Sequence, residues 1–303
     1  MNKLYHNSFY AMGTRCHIVL PGVEEDLCEH LFAVIKDEVN RVESSLSRFL
    51  SHSEISVINK KAAKEPVTVS EEIYGILETC REYSEMTHGA FDVSLRPLLQ
   101  YWKEKNDNST SDLRLYEIMD AIGMKQIELG NGDRSVSFVN DRVEIDLGGF
   151  GKGYALEHIQ KKLMDFSVRN AFISFGESSI LTMGSHPAGD HWKVGLNDYS
   201  QPGRALHTFA VNDGAVSTSS NFFVDDSGEL RNHRHVINPF TGYPVEECIT
   251  VSVRSDSSIV AEVLSTAFLV TRDETIALIK EQAEPCEVVK VNYVGGEPEI
   301  TVY

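Results

Sequence analysis

The chain is short of positive charge. Its 303 residues hold 28 Lys+Arg against 45 Asp+Glu, a formal net charge of −17. Sequence-independent nucleic-acid binding and docking on anionic lipid both need a basic face, and the deficit argues against each. Long apolar runs are also missing: no stretch approaches the ~20 residues of a membrane span. The opening Met1–Tyr10 shows neither the apolar run nor the cleavage site of a signal peptide. Cysteine is sparse. Cys16, Cys28, Cys80, Cys248 and Cys286 are odd in number, far apart and form no CxxC pair. A disulfide framework and a zinc site are therefore not expected, and the thiols read as small apolar groups. Together these absences predict a cytoplasmic protein.

What is present is ordinary globular material, 42% hydrophobic and 24% charged. Leu27, Leu31, Ile35, Val39, Val42 and Leu46 recur at three- and four-residue spacing, one face of a long amphipathic helix. A second helix is predicted from Ser70 as N-cap, with Glu71 and Glu72 in its first turn, ending at Gly89. A third, strongly apolar, covers Ile259–Val270. Residues 16–20, Asn170–Phe175, Trp192–Leu196, Leu206–Val211 and Ile249–Arg254 read as strands, and Ser135–Val139 with Arg142–Leu147 as a hairpin about Asn140-Asp141. No steady βαβ rhythm, repeat or linker appears. The expected fold is α+β, one domain over residues 1–303.

Four constellations carry chemistry. Asp146-Leu147-Gly148-Gly149-Phe150-Gly151-Lys152-Gly153 leads from a strand into a helix. It matches neither a P-loop, which needs Gly where Asp146 stands, nor a dinucleotide fingerprint, which needs Gly where Leu156 stands. It is either a structural turn or a backbone cradle for phosphate. His235, in a Pro/Gly-rich segment, is a general base or a turn residue. Glu262 and Thr266 share a helix face, suited to hard-oxygen coordination of Mg²⁺ or to a solvated Glu with a back-bonded Thr. Asp92, after Ala90-Phe91, is a nucleotide-binding carboxylate or a cap.

In this order the segments resemble the ApbE family of FAD:protein FMN transferases. The resemblance runs from Ala11-Met12-Gly13-Thr14 through Ser47-Arg48-Phe49, Ser53-Glu54-Ile55, Gly89–Asp92, Asp146–Ala155, Trp192–Gly195 and Gly214–Ser219 to His235–Gly242 and Ala261–Thr266. It implies mixed sheets and packed helices, with a FAD cleft between two lobes. It also implies Mg²⁺-dependent transfer of FMN from FAD to a Ser/Thr hydroxyl of a target flavoprotein, forming a phosphoester and releasing AMP. By motif position, Met12, Phe49, Ala90, Phe91, Asp92, Gly148, Tyr154 and Val236 would contact FAD. Gly151, Glu262, Ser265 and Thr266 would hold the metal, and His235, assisted by Asp146, would serve the reacting phosphate. The family usually has Asp where Glu262 stands and Tyr where Phe49 stands. The implied acceptor carries Asp-x-x-(Ser/Thr)-Gly-Ala-(Ser/Thr), a motif this chain lacks. A FAD pyrophosphatase and a non-catalytic FAD-binding protein are the alternatives, and monomer and homodimer are both open.

Overall fold

The computed structural model describes residues 4–105, 113–201, 203–283 and 285–303. Strands β1 (Leu4–Ala11) and β2 (Thr14–Pro21) form a hairpin. Its turn is Met12-Gly13, both at positive φ (51° and 75°), the backbone of a tight primed turn. Helices α1 (Glu25–Leu46) and α2 (Glu54–Lys61), strand β3 (Val67–Thr68) and helices α3 (Glu71–Met86), α4 (Arg96–Glu104) and α5 (Leu113–Met119) follow. Next come β4 (Ile127–Leu129), β5 (Ser135–Phe138) and α6 (Gly151–Asp165). The third quarter is β6 (Ala171–Phe175), β7 (Ser179–Met183), β8 (Trp192–Asn197), β9 (Ala205–Val211), β10 (Gly214–Ser220), β11 (Phe222–Val224) and β12 (Leu230–Asn232). The chain continues with β13 (Cys248–Ser255), α7 (Ser258–Phe268), α8 (Asp273–Gln282), β14 (Cys286–Val294) and β15 (Glu297–Val302).

Eight strands make one sheet in the order β1-β2-β6-β7-β10-β13-β14-β15, which is also their order along the chain. Every pairing in it is antiparallel. This mixed but unalternating architecture is the α+β fold the pattern predicts.

Helices α1, α6 and α7 cover one face of the sheet. The periodic residues of α1 are buried, Leu27 only partly. Ser70 caps α3 by accepting from the Ile73 N–H. Helix α7 buries ten of its eleven residues and is capped by Ser257, whose hydroxyl donates to Glu157 on α6 at 2.7 Å. Gly153 permits the α6–α7 crossing: a Cβ there would stand 2.6 Å from the Ser258 carbonyl oxygen and 3.0 Å from Glu262 Cβ. The β8–β9 hairpin covers the other face, packing Val194, Leu196, Phe209 and Val211 on Val216, Val289 and Val291. A third cluster joins α4 and α5 to Ile237.

The predicted hairpin at Ser135–Leu147 does not form. Strand β5 pairs with β3 and β4 instead. Val143, Ile145 and Leu147 are buried as the alternation suggests, but their backbone is satisfied elsewhere. The Asn59 side chain both accepts from Ile145 N–H and donates to its carbonyl, and Asp146 N–H donates to the Val93 carbonyl. A side-chain amide stands where a neighbouring strand was expected.

Candidate active site

A cavity of about 640 Å³ lies where the glycine turn, β10, α7, the β8–β9 hairpin and the His235 segment converge. Ala90, Phe91, Asp92, Asp146, Gly148, His235, Val236, Glu262 and Thr266 all line it. Residues more than 170 positions apart in the chain thus reach one wall.

The turn is built by Asp146. Its Oδ1 accepts from the Gly148 N–H at 3.0 Å and its Oδ2 from Arg48 Nε at 2.6 Å. Leu147 carbonyl accepts from Phe150 and Gly151 N–H, which starts α6. The first turn of α6 therefore faces the cavity with its positive dipole end. Both Asp146 oxygens are engaged, which holds the turn, and the residue also lines the cavity.

Lys152 and Glu262 form the polar centre. Lys152 Nζ lies 3.1 Å from Glu262 Oε1 and donates to Ser179 Oγ at 2.7 Å and Ser178 Oγ at 3.0 Å. Glu262, 4% exposed, takes hydrogen bonds on Oε2 from Ser179 at 2.6 Å and Ser217 at 2.9 Å. A buried carboxylate is tolerated only with such compensation. Ser265 lies behind the wall, its hydroxyl 3.0 Å from the Glu262 carbonyl oxygen and 3.2 Å from Ser217 Oγ. With its proton committed to one of those oxygens, Ser265 accepts from Ser219 at 2.9 Å. Thr266 donates back to the Glu262 carbonyl at 3.0 Å. Ser219 and Thr266 both line the cavity, and both present lone pairs to it rather than protons.

His235 follows Arg234, a non-glycine residue at φ 50°. The loop is pinned by two asparagines. Asn232 accepts from the Arg234 N–H and donates to the Val245 and Glu246 carbonyls; buried Asn221 does the same for Ile249, Val245 and Glu247. Ile237 seats the far end among α4 and α5 side chains. Gly242 (φ 74°) closes the turn against Met119, whose sulfur would lie 2.6 Å from a Cβ there. His235 is exposed, but the atoms packed around its ring desolvate it. This, with the neighbouring His233, holds the imidazole below its usual pKa, so it is neutral and able to accept a proton at neutral pH. Burial raises the Asp92 carboxyl, an effect that hydrogen bonds from Ser94 N–H and Oγ oppose.

The remaining expected residues sit apart. The Met12 methyl would meet a Cβ on Gly151 at 3.2 Å, so these two touch beside the turn. Phe49 is 78% exposed with Arg48 stacked 3.8 Å over its ring. Tyr154 donates to Glu72 at 2.8 Å and belongs to a network of Arg41, Glu38, Glu72 and His158 joining α1, α3 and α6. Lys152, Ser179, Ser217 and Ser219 are site residues the motif reading did not single out. Four consecutive hydroxyls, Ser217–Ser220, on a buried strand were the signal available.

Antiparallel sheet, covering helices and a cavity that joins a helix N-terminus to a carboxylate–ammonium pair define an α+β protein with a polar cleft. Residues 12–289 match the ApbE family, and the chain belongs to it. Over 269 residues it is 26% identical to a FAD:protein FMN transferase of Klebsiella pneumoniae, covering 88% of this chain and 82% of that one. The ApbE protein of Thermotoga maritima superposes with a TM-score of 0.83 at 26% identity over 98% of this chain and 96% of that one. The flavin transferase ApbE of Vibrio cholerae gives 0.85 at 21% identity over 100% and 97%.

Proposed function

We propose that this chain is a Mg²⁺-dependent FAD:protein FMN transferase, moving FMN to a Ser/Thr hydroxyl of an acceptor flavoprotein with release of AMP. The observation that carries this reading is the convergence of the α6 N-terminus, the Lys152–Glu262 pair and His235 on one cavity. The names of the relatives support it. The cavity wall holds Asp92, Asp146, Glu177 and Glu262 against Arg96 and Lys152 as permanent cations. Lys152 is already paired with Glu262, and Arg96 lies 3.7 Å from Glu144. A pyrophosphate therefore needs positive charge from outside the chain.

The donor chemistry suits Mg²⁺: one carboxylate, the Thr266 hydroxyl with outward lone pairs and the nearby backbone turn are all hard oxygens. Glu262 and Thr266, which line the cavity, would hold it. The resemblance also implies Ser265 and the Gly151 carbonyl, but Ser265 is fully buried behind the wall with its hydroxyl engaged, and neither of the two lines the cavity. When bound, the ion neutralises charge on the phosphate oxygens. The α6 N-terminus orients the pyrophosphate through backbone N–H groups, and Gly148, whose own N–H is held by Asp146, is a proposed FAD contact on the cavity wall. His235 takes the proton from the attacking hydroxyl as its oxygen bonds to the FMN phosphorus and the bond to the AMP oxygen breaks. Ala90, Phe91, Asp92 and Val236, with Met12, Phe49 and Tyr154 further out, are the proposed FAD contacts.

The test is incubation with FAD and Mg²⁺, with and without a peptide carrying the acceptor motif, following AMP and peptide mass. A peptide gaining one FMN-yl group only with Mg²⁺ is the expected result. AMP and free FMN without peptide would make the chain a pyrophosphatase, and bound FAD without any AMP a flavin-binding protein.

A further inference from the structure

We propose that Ser179 and Ser217 are positioning residues for Glu262, fixing one carboxylate oxygen so that the other meets a divalent cation at one place. The inference rests on the metal reading above and adds to it a pair of residues that touch neither metal nor flavin.

The two serines come from different strands, yet they are direct cross-strand partners in the β7–β10 register. Directly paired residues project on the same face with Cβ atoms about 5 Å apart. Their hydroxyls therefore stand side by side beneath α7. Both are almost fully buried, at 1% and 3% exposure. Both donate to the same atom, Glu262 Oε2. A Glu side chain has three rotatable torsions, and two converging donors on a rigid sheet remove that freedom. Oε1 is left facing Lys152 and the cavity. Ser179 does a second thing: it accepts from Lys152 Nζ, so one hydroxyl ties the ammonium and the carboxylate together.

The register makes the arrangement specific. A slip by one residue would present Ile180 or Thr218 from the opposite face, and the carboxylate would lose both donors.

The test reads metal binding directly. Mg²⁺ alone is titrated calorimetrically into the FAD-free chain of residues 1–303, and melting temperature is followed in parallel. Ser179→Ala and Ser217→Ala should each weaken Mg²⁺ binding by about 10- to 100-fold. They should also raise the Mg²⁺ concentration giving half-maximal AMP release, with kcat at saturating Mg²⁺ changing far less. Ser179→Thr, which keeps the hydroxyl, should restore the affinity. Folded alanine variants that bind Mg²⁺ within twofold of wild type overturn the clamp. If the alanine variants do not fold, Ser179→Cys and Ser217→Cys substitute a poor donor of similar size, and unchanged affinity in them overturns it equally. A wild-type chain that binds no Mg²⁺, with or without FAD, sinks the metal reading and the clamp with it, a result visible before any variant is made.

Discussion

At the scale of single residues, His235 and Glu262 are the most exposed to refutation. Because the His235 pKa is held down, the neutral base persists below the usual imidazole range. Activity should rise with pH through that lowered pKa and be at its plateau by pH 7. His233→Asn removes the neighbour whose electrostatic effect lowers the His235 pKa and should move the acid limb upward. A pH–rate profile identical to wild type would show that His233 does not act on the base. His235→Ala should abolish transfer and leave FAD bound, checked by flavin fluorescence alongside AMP release. Glu262→Ala leaves the Lys152 ammonium without its anion and the two serines without their acceptor. It should lower turnover by orders of magnitude and FAD affinity by little; equal losses in both would remove Glu262 from the chemistry. Much of this was legible. The order of motifs pointed to His235, Glu262 and Thr266, and the structure brings all three to one cavity. Lys152 stood inside a quoted motif, but its partner is 110 positions away, and only the α6–α7 crossing brings the two together. The roles of Ser179 and Ser217 depend on strand register, which no local pattern encodes.

At the scale of elements, helices were read best because their signal is local. The spacing from Leu27 to Leu46, the Ser70 cap and the apolar 259–270 segment each appear as predicted, within three residues at the ends. The segment at 142–147 failed for the opposite reason. Alternation reports which side chains are buried, and it does not report who bonds the backbone; there the answer was Asn59. Two predictions belong here. Gly153→Ala drives a methyl into the Ser258 carbonyl and should destabilise the fold by about 1–3 kcal/mol, the usual range for overpacking, read as a lower denaturation midpoint. The network of Arg41 with Glu38 and Glu72 gives an acid limb to stability. Arg41 hydrogen bonds hold both carboxyls below their ordinary value of 4.5. Groups with depressed folded pKa contribute above the unfolded value and lose that contribution as pH falls through the folded one. Stability should therefore drop below about pH 4.5 more steeply in wild type than in Arg41→Gln, followed by chemical denaturation at several pH values.

For the whole molecule, a charge of −17 surrounds the cavity proposed to take an anionic dinucleotide. Without Mg²⁺, raising NaCl screens that field, and FAD affinity should increase with ionic strength. With Mg²⁺ present the dependence should shrink. Fluorescence titration measures both, and an affinity that falls with NaCl in metal-free buffer would mean that the wall attracts phosphate unaided.

Among the described residues the sheet that follows chain order has two open edges, β1 and β15, and each is guarded in its own way. On β15, Glu297 and Glu299 flank Pro298, so a would-be neighbour meets like charge and a missing N–H donor. Strand β1 carries no Asp, Glu, Lys, Arg or Pro at all. There Asn7 turns its side-chain oxygen onto the Ser8 N–H at 2.8 Å and occupies that donor. One edge is defended by electrostatics and the other by a single amide, which makes β1 the place where strand-to-strand aggregation would start.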